Sequence, residues 1–470
     1  MVDFDYQKQP GRKRVRFFVP DPKTALVSII TPFYNAGKYF EQTFNSVMNQ
    51  TFPWFEWIIV NDGSSKQEEV DLLYRLAGTD RRILVITQEN AGPSVARNRA
   101  IEHSHTDLIV PLDADDLIDP TYLECLYWSL KYNPNAAWSY SNSYGFQELE
   151  YTWNYPFSAK KLKTYNFLNY TGMIRKKDIE DIGGYKDEKQ AYHEDWRFWL
   201  DMLSMSKKPV RVASHLFWYR RLGTGRMSSV NKDKTLSENG NRIIEKAAST
   251  VDVRVKALEY PVKWPQNVNC ATKKGRWNSV TNSTSKGKRL LWLMPWMEAG
   301  QANAFHLEVM EELKRIGFEQ FVLATKSSEK EWRQKFEEYT DEIFVLSDFL
   351  APMYHLEFID QFIQSRHVDG IIITNINECD DSLSWIREYY PEIPVVFFTT
   401  KSKEKTILSE KTCHVTDMSD QDTIVQFAEE LRRFMREPEV FFVKVCGLER
   451  VAMAEKQRRY LRKLKRMFRK

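Results

Sequence analysis

No run in this chain approaches the roughly eighteen apolar residues that a membrane-crossing helix needs, so no spanning segment is expected. Cysteine is scarce. Cys125, Cys270, Cys379, Cys413 and Cys446 are scattered without paired spacing, which speaks against a disulfide frame or a zinc site and predicts reduced structural thiols. Neither sign of charge dominates: 68 Lys and Arg stand against 64 Asp and Glu, and a net charge of +4 is too balanced to argue for nucleic acid. Met1 to Tyr6 lack a basic leader followed by an apolar stretch, so the expectation is a cytoplasmic protein without a secretory leader. Fixed-period repeats and low-complexity tracts are also missing. What is present, 42% hydrophobic and 14% aromatic residues over 470 positions, suffices for packed cores in about two to four domains.

After a polar, basic lead (residues 1–24), strands are expected at Leu26–Ile30, Trp57–Val60 and Ile83–Ile86, with a fourth ending at Asp113. Helices are expected from Lys38 to Asn49, from a capping box at Ser65 and Glu68, and from Ser94 to His103. This alternation predicts a parallel sheet with helices on both faces, whose ligands bind at the carboxyl ends of the strands. The first domain is placed at 25–258. Residues 259–288 then lose their apolar periodicity and carry Pro261, Pro265, Gly275 and Gly287, as a linker would. A second alternation occupies 289–440, with strands at Arg289–Met294, Gln320–Ala324, Ile343–Leu346, Gly370–Thr374 and Val395–Phe398. Its helices are expected near Ala304–Ile316, Lys330–Glu338, Leu356–Ser365 and Asp420–Arg436. Residues 441–470 form a basic tail.

Four strand ends in the first domain carry chemistry: Thr31-Pro32-Phe33-Tyr34-Asn35, Asn61-Asp62-Gly63-Ser64, Asn90 to Asn98 with Arg97, and Asp113-Ala114-Asp115-Asp116. Carboxylates one residue apart at the mouth of a parallel sheet suit a hard divalent cation and, through it, a diphosphate; an arginine suits the phosphate itself. Further on stand Ile182-Gly183-Gly184-Tyr185 and His193-Glu194-Asp195-Trp196-Arg197-Phe198-Trp199.

The order and spacing of these pieces over about residues 25–230 resemble glycosyltransferase family 2, the inverting enzymes of the GT-A fold. The resemblance implies an α/β chain: a GT-A nucleotide-diphospho-sugar transferase fold followed by a smaller Rossmann-like α/β domain. It implies a sugar donor activated as a nucleoside diphosphate, UDP-sugar above others, and Mn²⁺ or Mg²⁺ held by Asp115. Pro32, Tyr34, Asn35, Asp62, Gly63, Ser64, Arg97, Asp113 and Ala114 are expected around the nucleotide, with Asp113 near the ribose.

An inverting transfer wants a carboxylate to deprotonate the acceptor hydroxyl and something to hold the leaving charge. Asp195 is the candidate base, and Glu194 a neighbour that positions the acceptor. The alternative for this acidic pair is a helix N-terminus that favours negative charge. Trp196 is a candidate for stacking on a sugar, whereas Phe198, Leu200 and Met202 point Trp199 to the core. Tyr219-Arg220-Arg221 and Gly223 to Ser229 resemble the family's closing loop. The histidine that members often carry there is missing, so Arg220 or Arg226 is expected to neutralise the diphosphate, solvated loop arginines being the alternative.

The second domain resembles the N-terminal half of a family 4 GT-B glycosyltransferase, but its turn keeps only Gly300 of a glycine-richer pattern. A scaffold, acceptor-binding or dimerising role is expected of it, which leaves homo-oligomers open. In the run 456–470, Tyr460, Leu461, Leu464, Met467 and Phe468 share one helical face amid basic residues. That suits an anionic membrane surface, a peripheral position at the inner face; a solvated tail or a helix packed on the second domain are the alternatives. No nucleic-acid partner is expected. The acceptor expected for the transfer is a hydroxyl on a polysaccharide, a lipid-linked glycan or a protein. Two rival readings are a nucleotidyltransferase, whose glycine-rich basic signature is missing after the first strand, and a non-catalytic sugar-binding or assembly module, which would have no need of a base at Asp195.

Overall fold

The computed structural model describes residues 3–12, 18–186, 193–222, 234–261, 272–281, 289–374, 380–399 and 440–444. Arg226, the expected helix at 420–436 and the basic run 456–470 lie outside the described residues. The chain divides into two compact units: Tyr6–Lys263 with Asp348–Leu350, and the remainder from Met1–Asp5, Trp264–Ser347 and Ala351–Lys470.

In the first unit, strands β1 (Val27–Phe33), β2 (Phe55–Asp62), β3 (Ile83–Gln88) and β4 (Leu108–Pro111) pair in parallel in the order β4-β1-β2-β3. Their near-continuous apolar runs are what a sheet covered on both faces requires. Ile29, Ile30, Trp57, Ile58, Ile59, Ile109 and Val110 are wholly enclosed. Between β1 and its two neighbours the strand order reverses, which opens a crevice beyond the carboxyl ends of β1 and β4. Helices α1 (Gly37–Met48), α2 (Gln67–Ala77) and α3 (Pro93–Glu102) make the crossovers. Gln67, not Ser65, opens α2, and no side chain caps it; Glu69 is instead drawn off to accept the Gly37 amide at 2.7 Å.

Beyond β4 the sheet departs from the expected parallel pattern. Strands β5 (Leu117–Ile118), β6 (Trp138–Gln147), β7 (Tyr151–Trp153), β8 (Met173–Arg175), β9 (Pro209–Arg221) and β10 (Leu258–Glu259) extend it. Strand β8 runs antiparallel between β4 and β6, giving a mixed ten-stranded sheet in a GT-A-like curl. Helix α4 (Tyr122–Lys131) precedes β6, the short helices α5 (Ala159–Leu162) and α6 (Lys176–Asp181) flank β8, and α7 (Glu194–Ser204) precedes β9. Trp199 of α7 stacks on Trp138 of β6 at 5.1 Å between ring centres, both buried, so its expected place in the core is what is found. Helix α8 (Lys234–Ser249) adds Ile244, Ala247 and Ala248 to the same cluster, which fixes α7 from behind.

The second unit is one six-stranded parallel sheet. Strands β11 (Arg289–Met294), β12 (Glu319–Ala324), β13 (Ile343–Val345), β14 (Gly370–Thr374), β15 (Val395–Thr399) and β16 (Val440–Lys444) stand in the order β13-β12-β11-β14-β15-β16. That is the doubly wound Rossmann order. Helices at Gln301–Arg315, Lys330–Phe336, His355–Arg366 and Asp380–Tyr389 cover it. Strand β16 straddles position 440, where the sequence reading ends the second domain. Nor is all of 259–288 free linker: the Gly275 amide and the Trp277 indole both donate to the buried Asp360 carboxylate, at 2.7 and 2.8 Å.

Gly63 follows β2 with φ +70°, and a Cβ there would lie 2.7 Å from the Asn90 nitrogen. Gly63→Ala should therefore cost about 1–3 kcal/mol of stability, read as an earlier urea midpoint; an unchanged midpoint would mean that the turn relaxes freely.

Candidate active site

Every strand end singled out from the sequence reaches one cleft of about 1130 Å³ within the first unit, which Pro32, Tyr34, Asp62, Arg97, Asp113, Ala114, Asp115, Glu194, Asp195 and Trp196 all line. Tyr34 is half exposed at its mouth (51%). Four expected residues among those described do not line it: Arg220, taken up below, and Asn35, Gly63 and Ser64, which brace the loops instead. Asn35 is left-handed (φ +48°), and its side-chain oxygen accepts the Ser65 amide at 3.0 Å while the Ser64 hydroxyl accepts the Asn35 amide at 3.1 Å. Short Asn and Ser side chains are suited to such local bonds. Asp62, though at the cleft, also organises a loop: it accepts from Gln88 and from the amides of Ala91 and Gly92 at 2.7–2.9 Å, which positions the start of α3.

The acidic turn after β4 is held from below. Asp116 is fully buried; one carboxylate oxygen accepts the Tyr170 hydroxyl at 2.8 Å and the other the Arg220 amide at 2.6 Å. The Asp113 amide donates to the same Tyr170 hydroxyl at 2.8 Å, and the Ala114 carbonyl accepts from Thr43 at 3.0 Å. Burial, then the charges of Asp115 and Asp113, raise the Asp116 pKa well above the usual carboxylate range. Asp113 and Asp115 are left facing the cleft. Burial, reinforced by Asp113, pushes Asp115 up to about 6, while Arg220 opposes the shift.

Arg220 departs from its expected role. It is the penultimate residue of β9 and is only 4% exposed, with its guanidinium donating to the Asp115 carbonyl at 2.6 Å, to Gln147 at 3.0 Å and to Gln42 at 2.7 Å. The rings of Tyr39 and Phe146 flank it at 4.3 and 4.6 Å. Successive residues on a strand face opposite sides, so when Arg220 points into the scaffold, Arg221 points to the cleft, which it lines from over the Tyr219 ring.

Arg97 of α3 links the two acidic groups. Its guanidinium lies 2.6 Å from Asp113 and 3.5 Å from Glu194, and it is only 3% exposed. Burial works against the charge, but Asp113 and Glu194 outweigh it and raise the arginine's pKa. Its Nε has no hydrogen-bond partner, and Tyr170 and Tyr185 flank it at 5.6 and 5.4 Å. The next residue, Asn98, exchanges two hydrogen bonds with the Tyr185 backbone, 2.7 and 2.9 Å, tying the Gly183-Gly184-Tyr185 turn to α3.

Glu194 and Asp195 open α7, so the helix-terminus reading of the pair and its position at the cleft coincide. Burial, then the adjacent Glu194, pushes Asp195 up to about 6, and the Asn166 amide donates to it at 3.0 Å. His193 precedes the helix in a left-handed conformation (φ +90°), and burial holds its imidazole below the usual range. The Trp196 indole donates to the Leu162 carbonyl at 2.7 Å, leaving its ring at the cleft. Sequence reasoning missed Asn166, Tyr170, His193 and Arg221. His193 opens the motif that carries Glu194 and Asp195, and Arg221 follows Arg220; nothing local marks Asn166 or Tyr170, which come from the segment between α5 and β8.

The oxygen-only character of Asp113 and Asp115 fits Mg²⁺ or Mn²⁺, which takes one or two protein carboxylates and completes its shell with phosphate and water. No described Lys or Arg pairs with the Asp115 carboxylate, and no cluster of three or more metal-ligating side chains occurs among the described residues. Tyr170→Phe should remove the hydroxyl that joins Asp113 to Asp116 and cost about 1–3 kcal/mol in chemical denaturation; a wild-type midpoint would show that the turn holds without it.

Comparison with known proteins follows the same segment. The family model described as Glycosyl transferase family 2 matches residues 28–185. Glycosyltransferase GlyA of Streptococcus pneumoniae is 34% identical over 125 residues, 26% of this chain and 18% of that protein. The putative teichuronic acid biosynthesis glycosyltransferase TuaG of Bacillus subtilis is 45% identical over 92 residues, 19% of this chain and 36% of TuaG. This chain thus spans well under two thirds of either. Among solved structures, S. aureus TarS 1-349 in complex with UDP-GlcNAc aligns with a TM-score of 0.41 at 18% identity, over 48% of this chain and 66% of that one. An uncharacterized glycosyltransferase of Haemophilus influenzae is 30% identical over 219 residues, 45% of this chain and 84% of that protein. With a relative matched over most of its length and the family model on the strands that build the cleft, the chain belongs to glycosyltransferase family 2.

Proposed function

We propose that this protein is an inverting, metal-dependent glycosyltransferase that moves a sugar from a nucleoside diphosphate, a UDP-sugar above others, to a hydroxyl on a polysaccharide, lipid-linked glycan or protein. The observation that carries this reading is the convergence of Asp113, Asp115, Arg97, Glu194 and Asp195 on one cleft at the switch point of the sheet.

In this reading Pro32, Tyr34 and Asp62 take the base, Asp113 the ribose, and Asp115 holds Mn²⁺ or Mg²⁺. When bound, the cation offsets the charge of the leaving diphosphate. Asp195 takes the proton of the acceptor hydroxyl as its oxygen attacks the anomeric carbon from the face opposite the diphosphate. The bond from that carbon to the diphosphate oxygen breaks, and its electron pair leaves with the diphosphate. Arg97 holds Glu194 in place, so that Glu194 and Trp196 orient the acceptor. Arg221 takes over the cationic role first assigned to Arg220 and Arg226; the latter stays a proposal outside the described residues. The second unit is a non-catalytic scaffold, acceptor-binding or dimerising part, in keeping with a single Rossmann sheet. No helix among the described residues is long and apolar enough to cross a membrane, and the basic run 456–470 supports a cytoplasmic protein attached peripherally to anionic lipid.

Asp195→Asn should retain nucleotide affinity while lowering kcat by about 10²–10⁴-fold; normal turnover would exclude Asp195 as the base. A base works only when deprotonated, so with a pKa of about 6 the wild-type kcat should rise with pH and reach half its plateau near that value. A profile flat through this range would contradict the assignment. Asp115→Ala should abolish Mn²⁺-dependent gain in UDP affinity by calorimetry; an undiminished gain would refute the ligand role.

A further inference from the structure

Large apolar side chains exposed at the surface are unevenly placed. Of the nine among the described residues, Leu149, Tyr155 and Tyr165 belong to one region, the β6–β7 hairpin and the segment after it. Leu149, Tyr151, Trp153 and Tyr165 line the cleft, and Tyr155 continues the row outside it. Ring centres lie 5.8 Å apart for Tyr151 and Trp153, 4.6 Å for Trp153 and Tyr155, 6.3 Å for Trp153 and Tyr165, and 6.4 Å for Tyr155 and Tyr165.

The row is held in place. Tyr151 packs against Gly145, where any Cβ would fall 2.2 Å from the ring, so the glycine makes room for it. The Trp153 indole donates to the Phe167 carbonyl at 2.7 Å, Arg211 donates to the Asn154 carbonyl at 2.7 Å, and the Phe157 amide donates to Glu259 at 2.7 Å. Lys161 lies over Tyr155 and Tyr165, 4.4 and 5.4 Å from their ring centres. Exposed aromatic faces contiguous with a reaction cleft mark a binding surface. Rings fixed in advance lose little entropy when a ligand settles on them.

The chemistry of the row selects its occupant. A pyranose offers an apolar face of C–H groups and an edge of hydroxyls; ring faces take the first, and phenol hydroxyls and the Lys161 ammonium take the second. The donor nucleotide is already assigned the ends of β1, β2 and β4. A single acceptor sugar beside Asp195 would meet Trp196 and leave Tyr155 unused.

We propose that Tyr151, Trp153, Tyr155 and Tyr165 form an acceptor platform for a glycan chain of at least two sugars, which makes the acceptor of this site an oligosaccharide or polysaccharide. The proposal rests on the transferase reading above. The full-length protein, loaded with UDP and Mn²⁺, is applied to an array of microbial oligosaccharides and polysaccharides, and its UDP affinity is measured separately by calorimetry. The wild type should retain at least one glycan of two or more sugars. Tyr155→Ala combined with Tyr165→Ala should weaken that retention by about tenfold or more, whereas Tyr155→Phe keeps it. UDP affinity should be equal in all three. Equal glycan retention by the double variant overturns the platform and leaves the donor reading standing, as does capture of no glycan by a wild type that binds UDP. A wild type that binds neither UDP nor glycan overturns both.

Discussion

Asp116 lies buried beneath the cleft, accepting the Tyr170 hydroxyl with one carboxylate oxygen and the Arg220 amide with the other. Those bonds, with the Asp113 amide on the same tyrosine, fix the turn on which Asp113 and Asp115 stand. A carboxylate withdrawn from water is costly unless its lone pairs are met, and meeting them draws β4, β9 and the segment before β8 to one point. The site's accessible carboxylates are thus aimed by one that is inaccessible. With Arg220 spent on this scaffold, the next residue along the strand, Arg221, joins Arg97 at the cleft.

Arg97 performs a second act of alignment. By standing between Asp113 and Glu194 it ties the mouth of β4 to the first turn of α7 across the cleft. Buried among Tyr170 and Tyr185, it keeps its charge because both carboxylates favour it. Asp195, next to Glu194, is pushed upward by burial and by that neighbour, and Arg97 opposes the shift. The pair thus joins Glu194, fixed by an arginine, to Asp195, which burial and its neighbour push up to about 6.

Much of this was readable in advance because it is local. Apolar runs interrupted by Pro32, Asp62, Gly92 and Asp113 mark the four parallel strands, and the strand-end rule then puts their loops together. The antiparallel β8 and the long β9 were not legible, since partners chosen across the sheet leave no periodic trace. Asn35, Gly63 and Ser64 illustrate another limit: a motif residue can be required by the turn and not line the cleft. Asn166 and Tyr170 come from a segment without motif, and only the folded chain shows that one reaches Asp195 and the other Asp113. In the second unit the strands were legible to within a residue or two, whereas β16 lies across the boundary expected at 440 because its partner β15 ends at Thr399, far back along the chain.

In the proposed reading a divalent cation and a diphosphate meet at the turn after β4. Anomalous scattering at the manganese edge, from crystals of the full chain grown with Mn²⁺ and UDP, tests this most directly. A peak against the Asp115 carboxylate with the diphosphate beside it is the predicted result. A peak elsewhere, or UDP bound away from Asp113 and Asp115, would contradict the account.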